Sequence, residues 1–222
     1  MPATEQLVTV ALAGWAADGA VFTSLQGTAG RLIAPAFPPD GGVKELSGII
    51  SGLGFAKVRL LGWSLGALPA AELALARPDL VAEAVLVSAR PSYPPEEIAV
   101  AREGIRRNRR GYLAGFFSRC FSPGEKETGR LFRQNLLPGY LDQGWDLAAL
   151  ERGLDRLEAV RLDPALVQAP HVRFVHGVDD RIAPFSEITG FTRGIPAGRV
   201  IALEGRGHMP FLAPEFAGIL AA

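Results

Sequence analysis

The sequence holds a single cysteine, Cys120, which excludes an internal disulfide framework and a cysteine-rich zinc site. With 3 histidines it has too few for a histidine-based metal cluster, and neither metal nor cofactor is expected. Neither sign of charge is in excess: 23 Lys and Arg stand against 23 Asp and Glu, whereas a general nucleic-acid-binding domain is usually basic. No apolar run reaches the roughly 18 residues that suggest a membrane span. Neither nucleic acid nor membrane is therefore an expected partner. The stretch Leu7–Ala13 ends in Ala-Leu-Ala and mimics a secretory signal, but a signal opens on positive charge and the first basic residue is Arg31. The expectation is a cytoplasmic protein.

What the chain does have is length and apolar content enough for one well-buried domain: 222 residues, 48% of them hydrophobic. Short strand-like runs recur at Leu7–Leu12, Arg31–Ala34, Val58–Leu61, Ala84–Val87, Val172–Val175 and Val200–Leu203, each ended by a turn residue. Between some of them lie helical patterns, such as Leu65–Ala76 ahead of Pro78. This alternation predicts an α/β fold with a mostly parallel sheet of about six strands flanked by helices. The stretch 91–163 breaks the alternation with several helical patterns and no strand. It reads as a helical lid inserted into a core made of 1–90 and 164–222. Within it, Ser122-Pro123-Gly124-Glu125 has the spacing of a capping box with Pro at the first helical position.

Gly62-Trp63-Ser64-Leu65-Gly66 is a Gly-x-Ser-x-Gly motif. In so glycine-rich a chain it would arise by chance in roughly one of eight such sequences. Its setting is more telling, because Ser64 follows a strand-like run and opens a helix, the strand–turn–helix arrangement of a nucleophile elbow. A serine hydroxyl needs a base, and the base an orienting acid. His208 lies in a loop after the last strand-like run and is the expected base. His171 begins a strand at the far end of the sheet, and His176 reads as a structural loop or core residue. Two aspartates compete for the acid: the spacing Gly177-x-x-Asp-x-x-x-Pro184 selects Asp180, with Asp179 the alternative. The order Ser, Asp, His is that of α/β-hydrolases. An oxyanion needs two N–H donors; Leu65 supplies one, and Trp15, in the loop after the first strand, is expected to supply the other. The Trp15 indole is also a candidate wall for the acyl pocket.

These segments, together with His208-Met209-Pro210-Phe211, Pro214-Glu215-Phe216 and Gly153-Leu154 with Leu157 and Val160, resemble the α/β-hydrolases. Within them they resemble the pimeloyl-[acyl-carrier protein] methyl ester esterases of biotin synthesis. The resemblance implies a serine carboxylesterase with Ser64 as nucleophile, Asp180 as acid, His208 as base, and Trp15 and Leu65 as the oxyanion hole. It implies a substrate ester on a carrier-bound acyl chain and no cofactor. Ala13 departs from it, since the family usually carries His there. The first strand-like run begins at Leu7, so the antiparallel strands that usually open this fold are expected to be missing. Alternatives are a thioesterase or small-ester hydrolase on free substrates, a cofactor-free lyase or perhydrolase, and a non-catalytic binding protein that keeps the fold.

The lid adds two expectations. Nine basic side chains against three acidic ones fall between 101 and 133. Arg102, Arg106, Arg109 and Arg110 follow helical spacing, as do Lys126, Arg130 and Arg133, so two basic stripes are expected. Arg106, Arg109, Arg110, Arg130 and Arg133 are the candidate contacts for an acidic acyl-carrier protein, against the plainer reading of a solvated face. Tyr112, Phe116 and Phe117, with Leu113 beside them, are candidates to line an acyl tunnel or else to pack the lid on the sheet. Cys120 reads as a buried small hydrophobe.

Overall fold

The computed structural model describes residues 7–27, 30–142, 146–196 and 198–221; residues 1–6 and 222, the outer ends of the expected core segments, lie outside them. The six apolar runs form strands β1 (Thr9–Leu12), β2 (Leu32–Ile33), β3 (Val58–Trp63), β4 (Val81–Val87), β5 (Val172–Gly177) and β6 (Val200–Leu203). They make one sheet in the order β2-β1-β3-β4-β5-β6, and every pairing is parallel. Helices cover both faces of such a sheet, so its central strands are apolar on both sides. Leu60, Leu61, Val85, Leu86 and Val87 are fully buried, each large aliphatic contributing on the order of 1.5–3 kcal/mol. The crossovers include α1 (Val43–Gly52), α2 (Ala67–Ala76) and α7 (Phe185–Phe191), and α8 (Phe216–Ala221) closes the described chain. The expected helix from Leu65 splits into a tight 3-10 turn over Ser64–Gly66 followed by α2.

Between β4 and β5 run α3 (Pro95–Arg119), α4 (Lys126–Asn135), α5 (Leu137–Asp142) and α6 (Leu147–Ala159). Two details differ from the sequence expectation. The helix expected to open at Pro123 begins at Lys126. Glu125 does reach back to the Ser122 N–H at 2.8 Å, but the same carboxylate oxygen accepts from Gly207 N–H at 2.8 Å, so it ties two loops together and does not start a helix. The first basic stripe is also broken. Asn108 leaves helical geometry (φ −156°, ψ 83°) and its side chain accepts the Gly111 N–H at 2.9 Å, capping a second segment. Arg102 and Arg106 therefore lie on a different axis from Arg109 and Arg110. At this bend Tyr112 lies against Gly104, where a Cβ would meet the ring at 2.1 Å.

No helix among the described residues is long and apolar enough to cross a membrane.

Candidate active site

All six strands point their C-terminal ends the same way, so the loops that follow them converge at one edge. Ser64 follows β3 with φ of 53°, a left-handed backbone that a non-glycine residue adopts only under strain. The elbow is possible because its flanking residues lack side chains. A Cβ on Gly62 would lie 2.6 Å from Gly66 O, and one on Gly66 would lie 2.3 Å from Leu12 O. The second contact also presses the Ser64–Gly66 turn against the end of β1, which brings Leu65 and the Gly14-Trp15 loop into one neighbourhood.

Asp180 follows β5 and His208 follows β6. His208 Nε2 lies 2.9 Å from Ser64 Oγ, and its Nδ1 lies 2.7 Å from Asp180 Oδ2. All three residues are buried. With the Nδ1 proton donated to the carboxylate, Nε2 is left as the acceptor of the Ser64 hydroxyl proton, the tautomer a general base needs. Asp180 is fixed from its other side, where Oδ1 accepts the N–H groups of Ile182 at 2.8 Å and Ala183 at 2.9 Å. Burial alone would raise its carboxyl pKa. Attraction to the imidazolium form of His208 and hydrogen bonds from His176 and His208 outweigh burial and hold it well below the usual carboxylate range. Asp179, the competing candidate, is exposed.

Other residues fix this line: His176 and Cys120 are buried, as the sequence suggests, while Trp63 gives no local signal of its role. His176 is buried, its Nε2 lying 2.7 Å from Ala183 O and 3.3 Å from Asp180 Oδ2. Trp63 donates from Nε1 to His208 O at 2.8 Å, and His208 N–H donates to Cys120 O at 2.7 Å. His208 is thus held by β3 and by the end of α3 at once. His171 lies apart, against Ala74 O at 3.0 Å. Cys120 is fully buried, and burial pushes its thiol pKa well up, as befits an inert small side chain.

Two cavities flank Trp15. Only the one of about 370 Å³ is lined by Ser64, together with Tyr93, Tyr112, Phe116, Leu154 and Leu157. The other, of about 330 Å³, lies behind the Trp15 loop against Phe37 and Pro38. The Trp15 indole is the partition, held by a 2.9 Å hydrogen bond from Nε1 to Leu150 O and by an edge contact to Phe116 at 5.1 Å. Tyr112 and Phe116 both line the Ser64 cavity. Phe117 does not line this cavity, which corrects the expectation for it. Its ring faces the opposite way on α3 and packs on Phe132 and Tyr140 at 5.3 and 5.4 Å.

The arginines are less bare than their sequence suggests. Arg106 pairs with Glu151 at 2.6 Å, Arg110 with Asp142, and Arg130 with Glu127 at 2.5 Å. Arg102 reaches Asp155 and Glu158. The acids of α6 and α5 answer most of the local excess, and 12 basic side chains stand against 11 acidic ones over the whole of 91–163. Arg109 and Arg133 are exposed. Among the described residues no group of three or more His, Cys, Asp or Glu side chains is arranged to hold a metal ion.

Comparison with known proteins agrees with this architecture. The alpha/beta hydrolase family matches residues 7–217. The chain belongs to that family. Among curated proteins, it is 29% identical over 168 residues to a pimeloyl-[acyl-carrier protein] methyl ester esterase of Nitrosomonas europaea, covering 69% of this chain and 66% of that protein. It is 30% identical over 170 residues to the protein of the same name from Aeromonas salmonicida, covering 71% and 65%. The matched part is thus just under two thirds of each relative. Among solved structures, an esterase from Exiguobacterium antarcticum superposes with a TM-score of 0.81 at 20% identity, covering 97% of this chain and 90% of that one. A bromoperoxidase from Bacillus anthracis gives 0.79 at 16%, covering 97% and 91%. At such identities the likeness concerns the fold alone, and a fold of this kind hosts more than one chemistry.

Proposed function

We propose that this alpha/beta hydrolase is a cytoplasmic serine carboxylesterase whose substrate is the methyl ester of an acyl chain carried on an acyl-carrier protein. The observation that carries the esterase reading is the continuous hydrogen-bonded line from Asp180 through His208 to Ser64, ending at a cavity with largely apolar walls. In this reading Ser64 Oγ attacks the ester carbonyl carbon while His208 Nε2 takes its proton. Asp180 stabilises the imidazolium without itself being protonated. The oxyanion is received by the N–H groups of Trp15 and Leu65. His208 then gives the proton to the departing alkoxy oxygen, leaving an acyl-enzyme, and water repeats the sequence to release the acid. Trp15, Tyr112, Phe116, Leu154 and Leu157 would hold the acyl chain. The names of the curated relatives support the carrier-borne methyl ester.

The ion pairing of Arg106, Arg110 and Arg130 favours a second reading, an esterase or thioesterase acting on small free substrates. Both are tested by offering one acyl methyl ester in two forms, free and attached to acyl-carrier protein, to the wild type and to Ser64→Ala. The esterase reading expects a loss on the order of 10⁴-fold or more in the variant. Undiminished activity in Ser64→Ala would end it. A kcat/KM at least tenfold higher on the carrier-bound form supports the first reading, and parity supports the second.

A further inference from the structure

Tyr93 is the one phenol at the Ser64 cavity that is almost wholly buried, 6% exposed, and its hydroxyl, which faces the Ser64 side chain, makes no hydrogen bond of normal length and angle among the described residues. A buried unpaired hydroxyl destabilises the fold, and native structures retain few of them without a use. The ring, by contrast, is tightly held. The Arg90 guanidinium sits 5.2 Å from its centroid. Arg90 is itself buried and clamped by Glu97 of α3 at 2.5 Å and Glu187 of α7 at 2.7 Å. A residue kept for packing has no need of the hydroxyl, whereas a clamped ring with an unspent donor at the cavity wall is organised for something that enters the cavity.

The route of the chain places this donor. Ser88 follows β4 with φ of 48°, a strained turn that matches the one at Ser64 after the neighbouring strand. It leads the segment through Arg90 so that Tyr93 meets the Ser64 cavity. Strand order runs β1-β3-β4-β5-β6, so Trp15 and Tyr93 approach Ser64 from opposite sides, and Tyr93 shares its side with the loops of Asp180 and His208. An oxyanion held by the Trp15 and Leu65 N–H groups leaves the ester's other oxygen turned toward His208 and Tyr93.

We infer that Tyr93 is a further substrate-contacting residue of this site, its hydroxyl donating a hydrogen bond to the alkoxy oxygen of the ester as the alcohol departs. The inference rests on the esterase reading above. No proton is transferred by Tyr93: the proton taken up by the alkoxide is the one His208 received from Ser64, and the phenol only stabilises the charge meanwhile. Burial pushes the phenol pKa up to about 12, so it stays a neutral donor at every working pH.

The test is Tyr93→Phe, which keeps the ring for Arg90, assayed on a methyl ester and a p-nitrophenyl ester of the same acid. A methoxide-like leaving group depends on stabilisation, whereas p-nitrophenolate departs with little help. The expected kcat/KM loss on the methyl ester is about 10–100-fold, at least tenfold more than on the p-nitrophenyl ester. The melting temperature is expected to hold or rise by roughly 2–4 °C as the unpaired hydroxyl is removed. The rate of Ser64 labelling by an organophosphate checks that Ser64 and His208 remain assembled in the variant. Equal losses on both esters, or none on either, would overturn the inference while leaving the esterase reading intact. A wild type inactive on both esters would overturn the esterase reading and this inference with it.

Discussion

Asp180 serves two loops with one carboxylate: Oδ1 ties its own turn through Ile182 and Ala183, while Oδ2 faces His208. In Asp180→Asn the amide still accepts at one atom but presents N–H to the imidazole, which favours the wrong tautomer. The expected result is a fall in kcat on the order of 10⁴-fold with KM little changed. The carboxyl's pKa is lowered on folding, so its stabilising contribution is complete above the unfolded value of about 4 and fades as pH falls toward the folded one. Denaturant unfolding of wild type and Asp180→Asn from pH 6 to pH 2.5 should therefore show their stability difference shrinking below about pH 4. A difference constant over that range would contradict the depressed pKa. That Ser64, Asp180 and His208 come together was legible because each sits at a fixed distance from glycine or proline in a loop after an apolar run. Trp63 was not, since its partner His208 lies 145 positions away, nor was Tyr93, since the cavity it lines is assembled from segments far apart in the chain.

The segment Cys120–Glu125 shows how a locally legible motif is put to another use. The Ser122–Glu125 hydrogen bond forms as the spacing suggests, yet Ser122 Oγ donates to Gly205 O at 2.5 Å and Glu125 accepts from Gly207, so the segment fastens the helices between β4 and β5 to the His208 loop. Nothing in Ser-x-x-Glu announces a partner some 80 residues on. Glu125→Ala would leave two N–H groups, of Ser122 and Gly207, buried without an acceptor. At about 1–3 kcal/mol each the expected destabilisation is about 2–6 kcal/mol, measured by denaturant unfolding. Because one oxygen accepts both bonds, Glu125→Gln can keep them and should lose less than half as much. Equal losses in the two variants would mean that the charge, not the acceptor, matters there. A lowered kcat in Glu125→Ala with KM held would place the damage at His208.

Across the whole molecule, the parallel sheet was legible because strands covered on both faces must be apolar throughout, and such runs are hard to mistake when turn residues end them. The charge pattern of 91–163 was read less well, because helical spacing on one element says nothing of the acids that a packed neighbour supplies. Glu151, Asp155 and Glu158 of α6 face α3 and answer its arginines. Exposed pairs of this kind contribute only about 0–1 kcal/mol each, so an acidic partner can exchange with them at small cost. The docking of a carrier protein would then be an exchange of ion pairs at the surface, screened over about 8–10 Å at physiological salt. From 50 to 500 mM salt, kcat/KM on a carrier-borne methyl ester is expected to fall on the order of tenfold. The same ester free in solution should change less than about twofold, since the walls of the Ser64 cavity are largely apolar. If the two substrates respond alike, the arginines of α3 and α4 do no more than bind their own neighbours, and the free-ester reading gains what the carrier reading loses.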